Sequence, residues 1–520
     1  MQTPKPLWQT TWQPFLQAQV ITMLFLGFSA GIPLLLIFSS LSLWLVEAGI
    51  ERATVTYFSW AALGYSFKFL WAPLIDRLPL PFLTRRLGRR RAWLILAQIL
   101  VISAIVIMAF IDPSKGEDAL LFMAFAAILL GFSSATQDIV IDAYRIESAD
   151  ISLQALMSST YIAGYRIGML ASGAGALVLA SYFGSEKGHY SYQAWHWTYL
   201  SMALFMLVGV ITTLVIPEPP RSVAQIQKQQ QSPHSTKHYI QFLMLFICCI
   251  SLFILTFVNL STFVTSAKEI LAPYLGGMPI SRFIMEFLRL ALSLISMSLM
   301  AYLFIYFKLV DKQLVWGSYI APVYDFFQRY GKTIALVLLV FIGFYRVSDI
   351  VLGVIANVFF QEIGFTKIQI ATVVKTFGLF MTIAGGFLGG ILAVRFGVMK
   401  VLFLGALLTV ATNLLFMLLA STGNNISLLY LVISADNLSA GIASAAFVAF
   451  LSNLTNTSFT AVQYAIFSSL MTLAPKLIGG YSGSIVESIG YSNFFLLASL
   501  MGVPVLFLLY FLNKHITLNK

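Results

Sequence analysis

Residues Gly131 to Glu147 read GFSSATQDIVIDAYRIE. The segment closes an apolar run that begins near Ala119, yet it holds Asp138, Asp142 and Arg145. In a helix the two aspartates are four residues apart, stacked on one face about 6 Å from each other. A carboxylate pair inside or at the edge of a membrane helix is costly and needs a partner or a task. The pattern points to a helix lining a polar path through a transport protein.

Composition widens this reading to the whole chain. Of 520 residues, 59% are hydrophobic and 10% charged, with a mean hydropathy of +0.88. A soluble chain would carry about 25% charged residues. Apolar runs of about 20 residues recur from Val20 to Leu512, each long enough to cross a bilayer. They lack the alternation of barrel strands. The fold class is an all-α polytopic membrane protein. The net charge of +11 belongs to the loops that orient it, so no nucleic-acid partner is expected. Cys248 and Cys249 are adjacent in an apolar run and supply neither a disulfide nor a zinc site. No cofactor or metal is expected.

Six spans are predicted near 20–45, 55–75, 92–111, 119–143, 153–182 and 196–216, forming an N-terminal half over residues 1–216. A Pro-, Gln- and Ser-rich linker follows at 217–238. Two further runs, near 239–265 and 283–308, and a polar connection from Lys308 to Lys332 make up 239–332. The C-terminal half, 333–520, holds six more: 333–360, 368–393, 401–420, 427–452, 460–486 and 492–512. The total is about fourteen. With both termini cytoplasmic, about 19 Lys and Arg fall on the inner side and about 6 outside.

The halves repeat. Gly131, Ser134 and Ala135 recur 310 residues on as Gly441, Ser444 and Ala445; Ser158, Ser159 and Arg166 recur as Ser468, Ser469 and Lys476. AGIERATV (Ala48–Val55) matches IGFTKIQI (Ile363–Ile370). Duplicated six-helix halves indicate an alternating-access carrier.

Asp76-Arg77 followed by Gly88-Arg89-Arg90, and Arg395-Phe396-Gly397 in the second half, resemble the loop signature of the major facilitator superfamily. Longer motifs resemble the AmpG muropeptide permease family: YSFKFLWAPLIDR (Tyr65–Arg77), SATQDIVIDAYRIE (Ser134–Glu147), GYRIGMLASGAGAL (Gly164–Leu177) and the run from Tyr345 to Gly378. The resemblance points to a major facilitator fold, to which the two central apolar runs add an extra pair of helices. It also implies a bacterial inner-membrane importer of N-acetylglucosaminyl-anhydro-N-acetylmuramyl sugars and their peptides, driven by the proton gradient. The wider family includes acetyl-coenzyme A transporters.

Charged residues within spans are functional candidates by default. Asp138, Asp349 and Asp436 are the candidates for proton coupling. Lys68, Arg166, Arg346, Lys375 and Lys476 suit an anionic ligand, and Tyr65, Tyr161 and Tyr165 can stack on or bond to a sugar. Lys68 can meet a substrate carboxylate or pair with Asp138. Arg346 and Asp349, three apart, can neutralise each other. Asp76, Arg77, Asp142 and Arg145 read as a cytoplasmic gate of breakable ion pairs. Arg289 and Glu286 suit a local salt bridge, and Gly27/Gly31 and Gly386/Gly390 suit close helix packing.

The expected partners are an anionic small molecule, protons and membrane lipid, with no obligate protein partner. No GxxxxGK[ST] loop is present to hold ATP. Two alternatives stand: an acyl-coenzyme A transporter, and a membrane-embedded glycan hydrolase or acyltransferase. The five histidines fall in loops or at helix ends and form no catalytic cluster, so the chain reads as a carrier and not an enzyme.

Overall fold

The computed structural model describes residues 13–51, 54–55, 58, 61, 64–185, 189–220, 235–274, 277–479 and 481–516. The first twelve residues, most of the linker and six residues of the second predicted span lie outside the described residues. Every regular element among the described residues is helical. Twelve helices there are long and apolar enough to cross a membrane. Two shorter stretches, 64–77 and Thr460–Gly479, occupy the remaining predicted positions, which gives fourteen.

The chain divides into two compact units. The first holds α1 (Ala18–Glu47), α2 (64–77) as far as Ile75, α3 (Arg89–Ala109), α4 (Glu117–Ser148), α5 (Ile151–Tyr182) and α6 (Tyr192–Val215). It also holds α9 (332–362), α10 (Ile370–Phe396), α11 (Val398–Thr422), α12 (Ile426–Leu454), α13 (Thr460–Gly479) and α14 (Ser482–His515). α7 (Thr236–Leu271) and α8 (Met278–Tyr306) belong to the second unit, with Asp76–Leu78.

Two segments depart from expectation. The connection from Lys308 to Lys332, read as a polar loop, is helical from Lys312 to the break at Gly331, where φ is 72°. Its apolar residues recur at helical spacing, which the charges at its ends obscured. α13 stops at Gly479, short of the expected 486, and the helix that begins at Ser482 kinks at Gly490.

Local sequence explains the features that shape the interior. α4 opens with Glu117 and Asp118 and carries Arg145 in its last turn, each sign facing the favourable end of the helix dipole. Its 32 residues span about 48 Å, well beyond a hydrocarbon core of about 30 Å. Pro73 cannot donate and crowds the carbonyl one turn back, so α2 tightens to a 3-10 turn at Lys68–Leu70. α9 breaks at Tyr345 and Arg346, and Asp349 sits in the first turn of the helix that resumes.

Glycines set the closest helix contacts. A Cβ on Gly31 would lie 2.1 Å from the Tyr165 carbonyl oxygen, and one on Gly164 would lie 1.9 Å from that of Leu24. α1 and α5 therefore meet backbone to backbone, which fixes where Tyr161, Tyr165 and Arg166 stand. Gly390 is equally tight against Ser159, but Gly386 is not: its nearest neighbour would be 4.0 Å away. The repeat is visible in the same terms. Gly131 seats α4 on the Ala61 carbonyl (2.1 Å), and its partner Gly441 seats α12 on that of Thr382 (2.3 Å).

Candidate functional site

The face of α4 quoted at the outset is buried. Asp138, Asp142 and Lys68 are each less than a tenth exposed, and Arg145 is fully enclosed. Lys68 Nζ lies 3.8 Å from Asp142 Oδ2, and Arg145 Nη2 lies 3.2 Å from Asp142 Oδ1. The pairing of Lys68 is thus with Asp142, one turn from the Asp138 considered from sequence. The 3-10 turn at Lys68 sets its height along α2. Asp142 is shared between two cations, an arrangement that repays desolvation only because both stay close.

Asp138 stands apart from this pair. Its carboxylate accepts from Tyr161, while Oδ1 has no hydrogen-bond partner. Tyr65 donates to Ser134 Oγ at 2.6 Å, and Tyr161 and Tyr165 pack with ring centroids 6.0 Å apart. The three tyrosines predicted from sequence line the side of α4 that carries Asp138.

Arg145 links the two halves. Nη1 donates to Ser452 Oγ on α12 at 2.6 Å, and the guanidinium carbon lies 5.2 Å from the ring centre of Tyr464 on α13. On its own side it reaches Gln154 Oε1 and Ser158 Oγ, both at 3.3 Å. Ser452 is Asp142 plus 310, and Tyr464 is Gln154 plus 310. Two repeat-related pairs therefore surround one guanidinium, which places it near the axis that relates the halves. Asp142 and Arg145, both expected at the gate, pair with each other within α4, and what reaches Arg145 from the other half is a hydroxyl and a ring.

A second link lies alongside. Arg90 Nη2 meets Glu147 Oε1 at 2.6 Å and Nε meets Oε2 at 2.9 Å, with Arg89 at 3.1 Å. Thr460 at the start of α13 also donates to Glu147. Glu218 accepts from the backbone of Arg90 and Arg91, capping α3. This arginine cluster is built into the fold.

Other candidates are placed as follows. Arg346 and Asp349 form an ion pair at 2.5 Å, as their spacing suggested. Arg166 of the first half is within electrostatic range of both, and Asp436 interacts with Asp349 and bonds to Thr412. Lys375 and Lys476 are exposed and form no ion pair among the described residues. In the second unit Arg77 donates to the Gly317 carbonyl at 2.8 Å. Asp76 belongs to the same unit. Glu286 bridges Lys268 and Arg289 at 3.2 Å each, the local pairing foreseen for α7 and α8.

Sequence reasoning missed Ser452, Tyr464, Gln154 and Glu147. The first three had a signal: stepping 310 residues from Asp142 and Gln154 lands on Ser452 and Tyr464.

Comparison with known proteins agrees with this architecture. The Major Facilitator Superfamily profile matches residues 20–350. The Rickettsia conorii protein named AmpG 4 is 30% identical over 502 residues, covering 96% of this chain and 98% of its own length. The anhydromuropeptide permease of Escherichia coli K12 is 28% identical over 496 residues, covering 95% of this chain and 80% of that protein. Among solved structures, the proton:xylose symporter XylE aligns with a TM-score of 0.59 at 13% identity, covering 98% and 96% of the two chains. FucP in its outward conformation aligns with 0.58 at 11%, covering 95% and 97%. The chain is a multi-pass membrane transporter and belongs to the AmpG permease family of the major facilitator superfamily.

Proposed function

We propose that this chain imports anhydromuropeptides across the bacterial inner membrane for cell-wall recycling, coupled to proton entry, with both termini in the cytoplasm. The observation that carries it is the buried group of Lys68, Asp142 and Arg145 with Asp138 beside it. An acid with a free oxygen, one turn from a shared ion pair, suits reversible proton binding, because the charge of one site alters the cost of the other. Asp349 and Asp436 are further candidates for the same role. The anhydromuropeptide permease among the relatives supports the substrate class.

Arg166, Arg346, Asp349 and Asp436 stand together beyond Tyr165. Arg166 is the cation there without a close carboxylate, and it suits a substrate carboxylate. Tyr65, Tyr161 and Tyr165 offer rings and hydroxyls to sugar. Lys375 and Lys476, being exposed, serve as outer contacts in this reading.

The gate we infer is the Arg145 linkage, assisted by Arg90, Glu147 and Thr460; Asp76 and Arg77, read with it from sequence, belong to the second unit. The linkage holds the halves together at the ends of α4 and α12 and breaks as the carrier turns inward.

Uptake of labelled anhydromuropeptide into proteoliposomes, with and without an imposed proton gradient, tests the proposal. Gradient-stimulated uptake is expected. Uptake that ignores the gradient would remove the coupling, and competition by coenzyme A esters but not by anhydro sugars would favour the acyl-coenzyme A alternative. Recovery of chemically altered substrate would favour the enzyme.

A further inference from the structure

The helix over 312–329 lies outside the buried group of Lys68, Asp138, Asp142 and Arg145, its Gly317 carbonyl accepts from Arg77, and its two faces differ sharply. Asp311 caps its start, accepting from the Gln313 backbone at 2.8 Å. Leu314, Val315, Ser318 and Phe326 are buried. Tyr319 packs on Phe242 near the start of α7, with ring centroids 6.0 Å apart. The opposite face carries Trp316, Ile320, Val323 and Tyr324, spaced four, three and one residues apart, as one helical stripe requires. These four are 52%, 46%, 42% and 56% exposed.

Connectivity fixes the level of this helix. α8 ends at Tyr306, six positions before Lys312 in the chain, and α9 begins directly after Gly331. Contact with Phe242 places it at the end of the second unit where α7 starts, the same end at which α8 finishes. A helix tethered so briefly to candidate membrane spans on both sides cannot lie far from their ends. Trp and Tyr on its open face are the residues that favour the headgroup layer.

Charge complementarity names the lipid. Over 308–332 the chain has Lys308, Lys312, Arg329 and Lys332 against Asp311 and Asp325, four positive charges minus two negative. Asp311 is used as a cap, and Asp325 is paired with Arg329 at 2.9 Å. Three lysines remain to meet phosphate. The linker at 217–238, rich in Gln, Ser and Pro, offers few large apolar residues as an alternative occupant of the stripe.

We propose that the 312–329 helix is an in-plane membrane anchor that seats Trp316, Ile320, Val323 and Tyr324 among the acyl chains and its lysines on anionic phospholipid headgroups. Such helices lie about 5–10 Å into the headgroup and acyl boundary and bind more tightly to anionic surfaces.

The test uses the full chain with Cys248 and Cys249 replaced by serine, carrying a nitroxide at Ile320→Cys, Val323→Cys or, as the outward control, Gln328→Cys. Vesicles contain phosphatidylcholine alone or with one part in three phosphatidylglycerol. The readout is collision with oxygen against collision with a water-soluble nickel chelate. We expect oxygen to win several-fold at 320 and 323 and nickel to win at 328, with label motion slowed by phosphatidylglycerol. The K308Q/K312Q/K332Q variant should keep the depth pattern and lose the lipid response. Nickel access at 320 and 323 equal to that at 328 would overturn the anchor. Shielding of 320 and 323 from both reagents would overturn it too, because protein would then cover the face. An unchanged response to phosphatidylglycerol would overturn the anionic preference.

Discussion

Arg145 ties one half of the carrier to the other through two contacts that can be removed separately, Ser452 on α12 and Tyr464 on α13. A hydrogen bond to a charged group contributes about 1.5–3 kcal/mol. A cation over an aromatic ring in a desolvated site contributes about 0.5–2 kcal/mol. Removing both therefore weakens closure by about 2–5 kcal/mol, before water entering the opened end offsets part of it. Each 1.4 kcal/mol is tenfold in a population ratio, so the lower end alone shifts the balance roughly 30-fold toward opening at the Arg145 end. Ser452→Ala and Tyr464→Leu leave Asp142, Gln154 and Ser158 in place around the guanidinium, so the fold of the first half is untouched. Spin labels at Asp150→Cys and Thr457→Cys, both exposed and beside the contact, report the separation by pulsed dipolar spectroscopy once Cys248 and Cys249 are replaced. The long-distance population should rise in each single variant and most in the double, with incomplete additivity because both contacts share one cation. A distance distribution unchanged in the double variant, with thermal stability retained, would refute the latch.

Three further outcomes are expected. Asp138→Asn should abolish gradient-driven uptake while keeping substrate counterflow; loss of counterflow as well would make Asp138 a ligand contact or a structural group. Gly31→Val should lower thermal stability by more than the about 1–3 kcal/mol typical of overpacking, because the new Cβ meets backbone that cannot move aside, whereas Gly386→Ala has room and should be neutral. Outside the membrane, burial opposes ionisation of Asp112, but hydrogen bonds from Ser114 and Tyr190 outweigh it and hold its carboxyl below the usual range. A depressed folded-state value stabilises the protein above the unfolded value, near pH 4. That stability is lost as pH falls through the folded value. The stability gap between wild type and Tyr190→Phe should therefore be full at neutral pH and close in acid, and a gap independent of pH in thermal unfolding would show that Asp112 is not the cause.

Much of the architecture was legible in sequence because a bilayer demands long apolar helices and leaves little choice of element. The 310-residue offset carried the two-half plan, and the spacing of Arg346 and Asp349 carried their ion pair. The site was less legible where geometry depends on a local irregularity. Nothing in the spacing of Lys68 says that a 3-10 turn beside Pro73 brings it to Asp142 and not Asp138. Ser452 and Tyr464 look like ordinary members of small-residue and aromatic helices, and the 310-residue offset that relates them to Asp142 and Gln154 does not by itself say that they meet Arg145. The connection at 308–332 drew attention to its charges, although its apolar residues already followed a helical period.

The position of Arg145 bears on how the two halves came to differ. If two identical six-helix units faced each other about a twofold axis, each would supply an arginine aimed at the same point, between Asp142 and its copy and between Gln154 and its copy. Two guanidinium groups cannot share that enclosed space, for reasons of charge and volume alike. One must be given up, and Thr455 stands at the position 310 residues after Arg145. Once only one cation remains, the second carboxylate has nothing to neutralise, and Ser452 suffices. A residue on the axis thus makes symmetry itself unstable, and fusion of the halves into one chain allows the sequence to resolve it.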